Sequence, residues 1–252
     1  MKQYKKSYEL KNAAKDKLDG KYSGAVLITF LSALITWTVQ LFIDMVAVST
    51  MNSVYITTSS ATAAYAISFV FDALMLIANI ILKVMDVGIT LYFLNIACGG
   101  PFSTKDLFYG FKMDSRKTLV ITAAMVVCQA VTLQPSQYLF QYFQATRENR
   151  WLFYSLAAFV VGLCIYIPIF LNIAMSFYLI LDFPQKSGKE ILALCWRIMK
   201  GQKRRLFYLE LSFLPLMMLC ILSFGIGFLW LMPYMQMTYT YFFLDMMKPR
   251  EV

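Results

Sequence analysis

Along the chain, apolar stretches of membrane-spanning length alternate with short polar segments that carry nearly all the cations. The apolar stretches fall at residues 24–48, 66–97, 118–143, 151–181, 206–224 and 226–247. A hydrocarbon core of about 30 Å takes about 20 helical residues to cross. Backbone amides inside it must bond to one another, so each stretch is predicted to be a transmembrane helix. The last two are separated only by Ser223-Phe224-Gly225-Ile226-Gly227, so about six spans are expected, with five as the alternative. The expected fold class is an all-α, polytopic membrane protein with one membrane domain over residues 1–252. Residues 49–65, with eight serines and threonines and no charge, are expected to form an outer connector. Gln137, Gln141 and Gln144, interleaved with aromatics, point to an interfacial helix on that same side.

Composition agrees with lipid as the solvent. Hydrophobic residues make up 60% of the chain and charged residues 15%, against about 45–50% and about 25% in soluble proteins. With a mean hydropathy of +0.61, this excludes a water-soluble globule and any disordered or collagenous class. The first apolar run, residues 24–48, is longer than the roughly 7–15 residues of a signal-peptide core, so it is expected to remain as a first membrane helix. Twenty of the 23 cations fall before residue 23, in 98–117, in 183–205 or in the tail, while the opposite side holds only Arg147 and Arg150. The positive-inside rule then places both ends in the cytoplasm.

Three cytoplasmic segments resemble one another. Each is a short helix ending at a glycine with a lysine just after it: Gly20-Lys21, Gly110-Phe111-Lys112 and Gly201-Gln202-Lys203. The paired spans that follow end alike, in Tyr92-Phe93-Leu94-Asn95, Phe177-Tyr178-Leu179 through Asp182, and Phe242-Phe243-Leu244-Asp245. Capping boxes open two of the helices, at Ser103 with Asp106 and at Ser187 with Glu190. This predicts a unit of amphipathic helix plus transmembrane hairpin, repeated over 8–97, 102–182 and 188–247. In the third amphipathic helix Ile191, Leu192, Leu194, Cys195, Trp196, Ile198 and Met199 fill one arc. Such a helix suits the headgroup plane. Lys189, Arg197, Lys200, Lys203, Arg204 and Arg205 are therefore candidates for contact with anionic lipid at the inner leaflet. A basic run directly before a span argues against nucleic acid as the partner.

Inside the membrane, Asp72, Asn79, Lys83 and Asp86 of the second span recur at steps of seven, four and three and share one helical face. A central Asp or Lys costs about 2.5–3.5 kcal/mol on the insertion scale. The stripe therefore either lines a polar site or masks itself, Lys83 pairing with Asp86 within the helix. Gly162 to Pro168 and Gly227 to Pro233 mark two places where a span is expected to kink. With no histidine in the chain and no C-x-x-C among its five cysteines, no zinc set is available. Nucleotide, phosphate and hydrolase motifs are absent as well, so no cofactor, no metal site and no catalytic constellation is expected.

The favoured reading is a non-enzymatic component that organises the membrane or serves a larger complex, engaging the inner leaflet, a membrane partner or a second copy of itself. The alternative is a small-solute permease built on the stripe in the second span; a membrane enzyme comes third. The chain also resembles domain-of-unknown-function family 975, bacterial integral membrane proteins found largely in Firmicutes. The likeness is carried by Ala14-Lys15-Asp16-Lys17-Leu18-Asp19-Gly20-Lys21-Tyr22, by Leu107-Phe108-Tyr109-Gly110-Phe111, and by Met199 through Phe207. It continues through Leu211-Ser212-Phe213 and Gly225 through Tyr234, with Pro215 standing where the family pattern usually has a tryptophan. The resemblance implies a multi-pass bacterial membrane protein and brings with it no activity, ligand or catalytic residue.

Overall fold

A computed structural model describes residues 4–58 and 61–248. Lys2 and Arg250, counted among the cations, and Ser59 and Ser60 of the connector lie outside the described residues. Among the described residues the fold is all-helical. Helices α1 (Ser7–Leu18), α2 (Tyr22–Thr58), α3 (Ala61–Leu82) and α4 (Met85–Cys98) come first. A 3₁₀ turn (Thr104–Phe108) and α5 (Tyr109–Lys112) lead into α6 (Ser115–Thr146), α7 (Asn149–Ile173) and α8 (Ser176–Asp182). The chain closes with α9 (Gly188–Ile198), α10 (Lys203–Leu211), α11 (Leu214–Leu222) and α12 (Phe228–Met247). Among the described residues, five segments are long and apolar enough to cross a membrane: Tyr22–Val54, Ile67–Cys98, Arg116–Thr146, Asn149–Asp182 and Lys203–Leu222.

Several expectations are corrected. The connector over 49–65 is mostly helix: α2 runs to Thr58 and α3 begins at Ala61. Thr50, Ser53 and Thr57 donate to the carbonyls of Val46, Ser49 and Ser53, so their hydroxyls find partners inside the helix and need no loop. Gln137, Gln141 and Gln144 lie on no separate interfacial helix, because α6 continues through Pro135 to Thr146. Pro168 and Pro233 sit inside α7 and α12 with no helix break at either proline, while Gly227 lies in the turn that precedes α12. The second span breaks instead at Lys83-Val84 and the fourth at Ala174-Met175.

Residues 206–247 turn back on themselves at Ser223–Gly227, where Phe224 and Gly225 adopt φ of 53° and 86°. Tyr239 pairs with Glu210, the Phe213 ring meets Tyr234, and Cys220 lies against Gly227. Helix α12 is thus antiparallel to α10 and α11. Its tyrosines and threonines are tolerated because it is enclosed by neighbours, with Met237, Thr238 and Thr240 all buried.

The packed core sits at one end of the molecule. There α4, α8 and α12 meet, and the repeated aromatic pairs Tyr92-Phe93, Phe177-Tyr178 and Phe242-Phe243 are all buried. Tyr178 stacks on Phe243 at 4.9 Å and its hydroxyl lies 3.1 Å from that of Thr240. Around this centre α1 docks on α12, the 3₁₀ turn on α4, and α9 on α6 and α8. The hairpins α2–α3 and α6–α7 extend away from the core with large apolar side chains turned outward, among them Trp37, Phe42, Phe69 and Val161. In water so broad an apolar surface would aggregate; lipid is the solvent that suits it.

Candidate functional site

The stripe of the second span divides. Asp72 stands apart, its carboxylate accepting a 2.9 Å hydrogen bond from the Tyr138 hydroxyl of α6. Asn79, Lys83 and Asp86 come together in a cavity of about 340 Å³ between α2, α3 and α6. This volume lies at the lower end of the range of about 300–1,000 Å³ usual for small-ligand sites. Lys83 Nζ donates to Asp86 Oδ2 at 3.1 Å, and each side chain is about one-third exposed, at 32% and 38%. The pair forms across the Lys83-Val84 break, not within a continuous helix as the spacing predicted.

The other walls were not identified from sequence. Thr36 and Gln40 come from α2, and Gln129, Gln134 and Gln137 from α6. Gln40 Nε2 donates to Asn79 Oδ1 at 2.9 Å, tying the first wall to the second. Gln129, Gln137, Gln141 and Gln144 recur at steps of eight, four and three, which places them on one face of α6 once the helix runs through Pro135. That spacing was the available signal. Carboxamides both donate and accept hydrogen bonds, and Lys83 and Asp86, the only charged residues in the lining, neutralise each other. The cavity can thus bind hydroxyls, amides or paired opposite charges without favouring a net ion.

The basic cluster is also divided. Lys189, Arg197, Lys200 and Arg204 are exposed, and Lys203 Nζ lies 5.3 Å from the Trp196 ring. Arg205 is used inside the protein: its guanidinium pairs with Asp245, donates to the Lys5 carbonyl at 3.0 Å and lies over the Phe242 ring. Asp245 also accepts from the Lys5 amide, so α1, α10 and α12 are tied at one end. The arc of α9 faces the protein as well as the exterior, with Ile191, Cys195 and Met199 buried and Trp196 half exposed. At its start Ser187 and Glu190 form the expected capping box, as do Ser103 and Asp106. The backbone and side-chain hydrogen bonds from Ser187 hold the Glu190 carboxyl below its ordinary value.

None of the curated proteins and none of the solved structures searched matches this chain. One family model does, described as "Protein of unknown function (DUF975)", over residues 1–250. With the match covering almost every residue, the chain belongs to the DUF975 family.

Proposed function

We propose that this chain is a permease of the bacterial plasma membrane, holding a small polar solute without net charge in the cavity between α2, α3 and α6. The observation that carries the reading is the lining itself: amides from three helices around a self-neutralised ion pair, among helices that otherwise turn apolar side chains outward. Polar groups kept in such surroundings are costly, which makes them functional candidates. In a variant lacking the five native cysteines, Asn79→Cys and Gln129→Cys should react with a membrane-impermeant thiol reagent. Failure of both to react would end the reading.

Both ends of the chain are assigned to the cytoplasm in this account, after about six passes. The antiparallel return of α12 supports an even number, and the buried aromatic pairs support three repeated units. A second reading keeps contact with anionic lipid as a role of the inner rim, favoured by the exposed Lys189, Arg197, Lys200 and Arg204 around Trp196. Charge reversal at Lys200, Lys203 and Arg204 should lower the anionic lipid retained from mixed bilayers; unchanged retention would remove it.

A further inference from the structure

We propose that the Lys83–Asp86 ion pair is a gate between two chambers of one continuous polar passage, an inference that rests on the solute-binding reading above. On the core side of the pair lies a second cavity of about 210 Å³, into which Thr90, Tyr178, Glu210, Gln236 and Tyr239 project. Lys83 and Asp86 are the two residues common to the linings of both cavities. On the far side, Gln137 is shared between the first cavity and an open groove of about 500 Å³ along α6 and α7, where Gln141 and Gln144 continue the same face. Three spaces thus follow one another, with a polar side chain at each junction. They run from the α6–α7 turn to the end where Leu206 borders the inner cavity, close to the Arg205–Asp245 pair.

The junctions differ in kind. Gln137 is a single side chain at the edge of an open groove. Lys83 and Asp86 are two side chains joined at 3.1 Å across a helix break, where tight i→i+3 turn bonds replace the regular helical ladder. Breaking the contact leaves the two charges free to bind complementary groups of the solute as it passes. The inner chamber supplies the next partners: Glu210, held by the Tyr239 hydroxyl at 2.8 Å, and the Gln236 carboxamide. A small zwitterionic or hydroxyl-rich molecule finds hydrogen-bonding groups at every stage, whereas an unaccompanied ion loses its balance of charge in the outer chamber.

The test uses the full-length protein in sealed vesicles with the α6–α7 turn outward, lacking native cysteines. The probe is an impermeant thiol reagent added outside. With the native pair, Gln129→Cys should react readily and Gln236→Cys at least tenfold more slowly. Removing the pair, in Lys83→Ala/Asp86→Ala, should bring the rate at position 236 to within about threefold of that at 129. The exchanged pair, Lys83→Asp/Asp86→Lys, should restore slow reaction and guards against a merely misfolded variant; Asp86→Asn, which keeps the volume, should fall between. Equal rates at 236 with and without the pair would overturn the gate. So would a residue 236 that never reacts while 129 does. If 129 itself fails to react, the chamber reading falls first, and the two failures are thereby told apart.

Discussion

At Gly162 the absence of one methyl group sets how closely two long helices approach. A Cβ there would overlap the carbonyl oxygen of Thr132 on α6, the close backbone approach that small residues permit between membrane helices. Gly162→Leu should therefore part α6 from α7 and cost about 1–3 kcal/mol, as overpacking does, seen as a lower Tm in detergent. Glu190 acts at the same scale through charge. Its folded pKa is depressed by the bonds from Ser187, so its stabilising effect is present above the unfolded carboxylate value of about 4.3 and is lost as pH falls through the folded value. Amide exchange in the first turn of α9 should accelerate relative to the core as pH is lowered through that window, and Glu190→Gln should flatten the change. The Ser187 and Ser103 boxes were legible because both partners have capping chemistry. The matching feature of α1, where Glu9 accepts from the Lys6 amide at 2.8 Å, was not, because a lysine occupies the cap position.

Elements were legible where composition changes and obscure where it does not. Gly20 and Gly201, with φ of 70° and 92°, end their helical segments as the repeated glycine–lysine spacing predicted, whereas Gly110 lies inside α5 and ends nothing. The break at Lys83-Val84 lies in a run from Ile80 to Val87 with no glycine or proline to mark it, and beyond it α4 is buried in the core. Asp245, at the end of the third repeated motif, joins α12 to Arg205 of α10 and to the Lys5 amide just before α1. Side chains only 22% and 6% exposed make that pair an interior one. Asp245→Ala should cost about 3–5 kcal/mol by leaving Arg205 buried and unpaired. Replacing both partners, as in Arg205→Met/Asp245→Leu, should cost much less, a contrast that thermal unfolding of the two variants measures.

Across the whole molecule, the sequence disclosed the solvent and concealed the neighbours. Apolar stretches predict that helices meet lipid, but they do not say that α2 and α6 both face α3, and a cavity needs all three. Asn79, Lys83 and Asp86 were therefore recognised as a group, while Gln40 and Gln129 were not. Lipid as solvent can itself be measured. Val161 is 59% exposed; on a water-facing surface such a site tolerates substitution within about 0.5 kcal/mol. In the hydrocarbon layer Val161→Arg should cost about 2.5–3.5 kcal/mol, read as the fraction of chains inserted by a translocation reporter.

The docking of α1 on α12 has a consequence for how the protein is made. Leu10, Ala14 and Leu18 are buried, yet α12, against which α1 rests, lies far down the chain and is synthesised much later. At about 5–20 residues per second, the ribosome takes on the order of ten to fifty seconds to reach it. Throughout that interval α1 can rest only on the α2, α4 and 3₁₀-turn residues that share its core cluster with Ala14 and Leu18. Its docking is complete when α12 arrives.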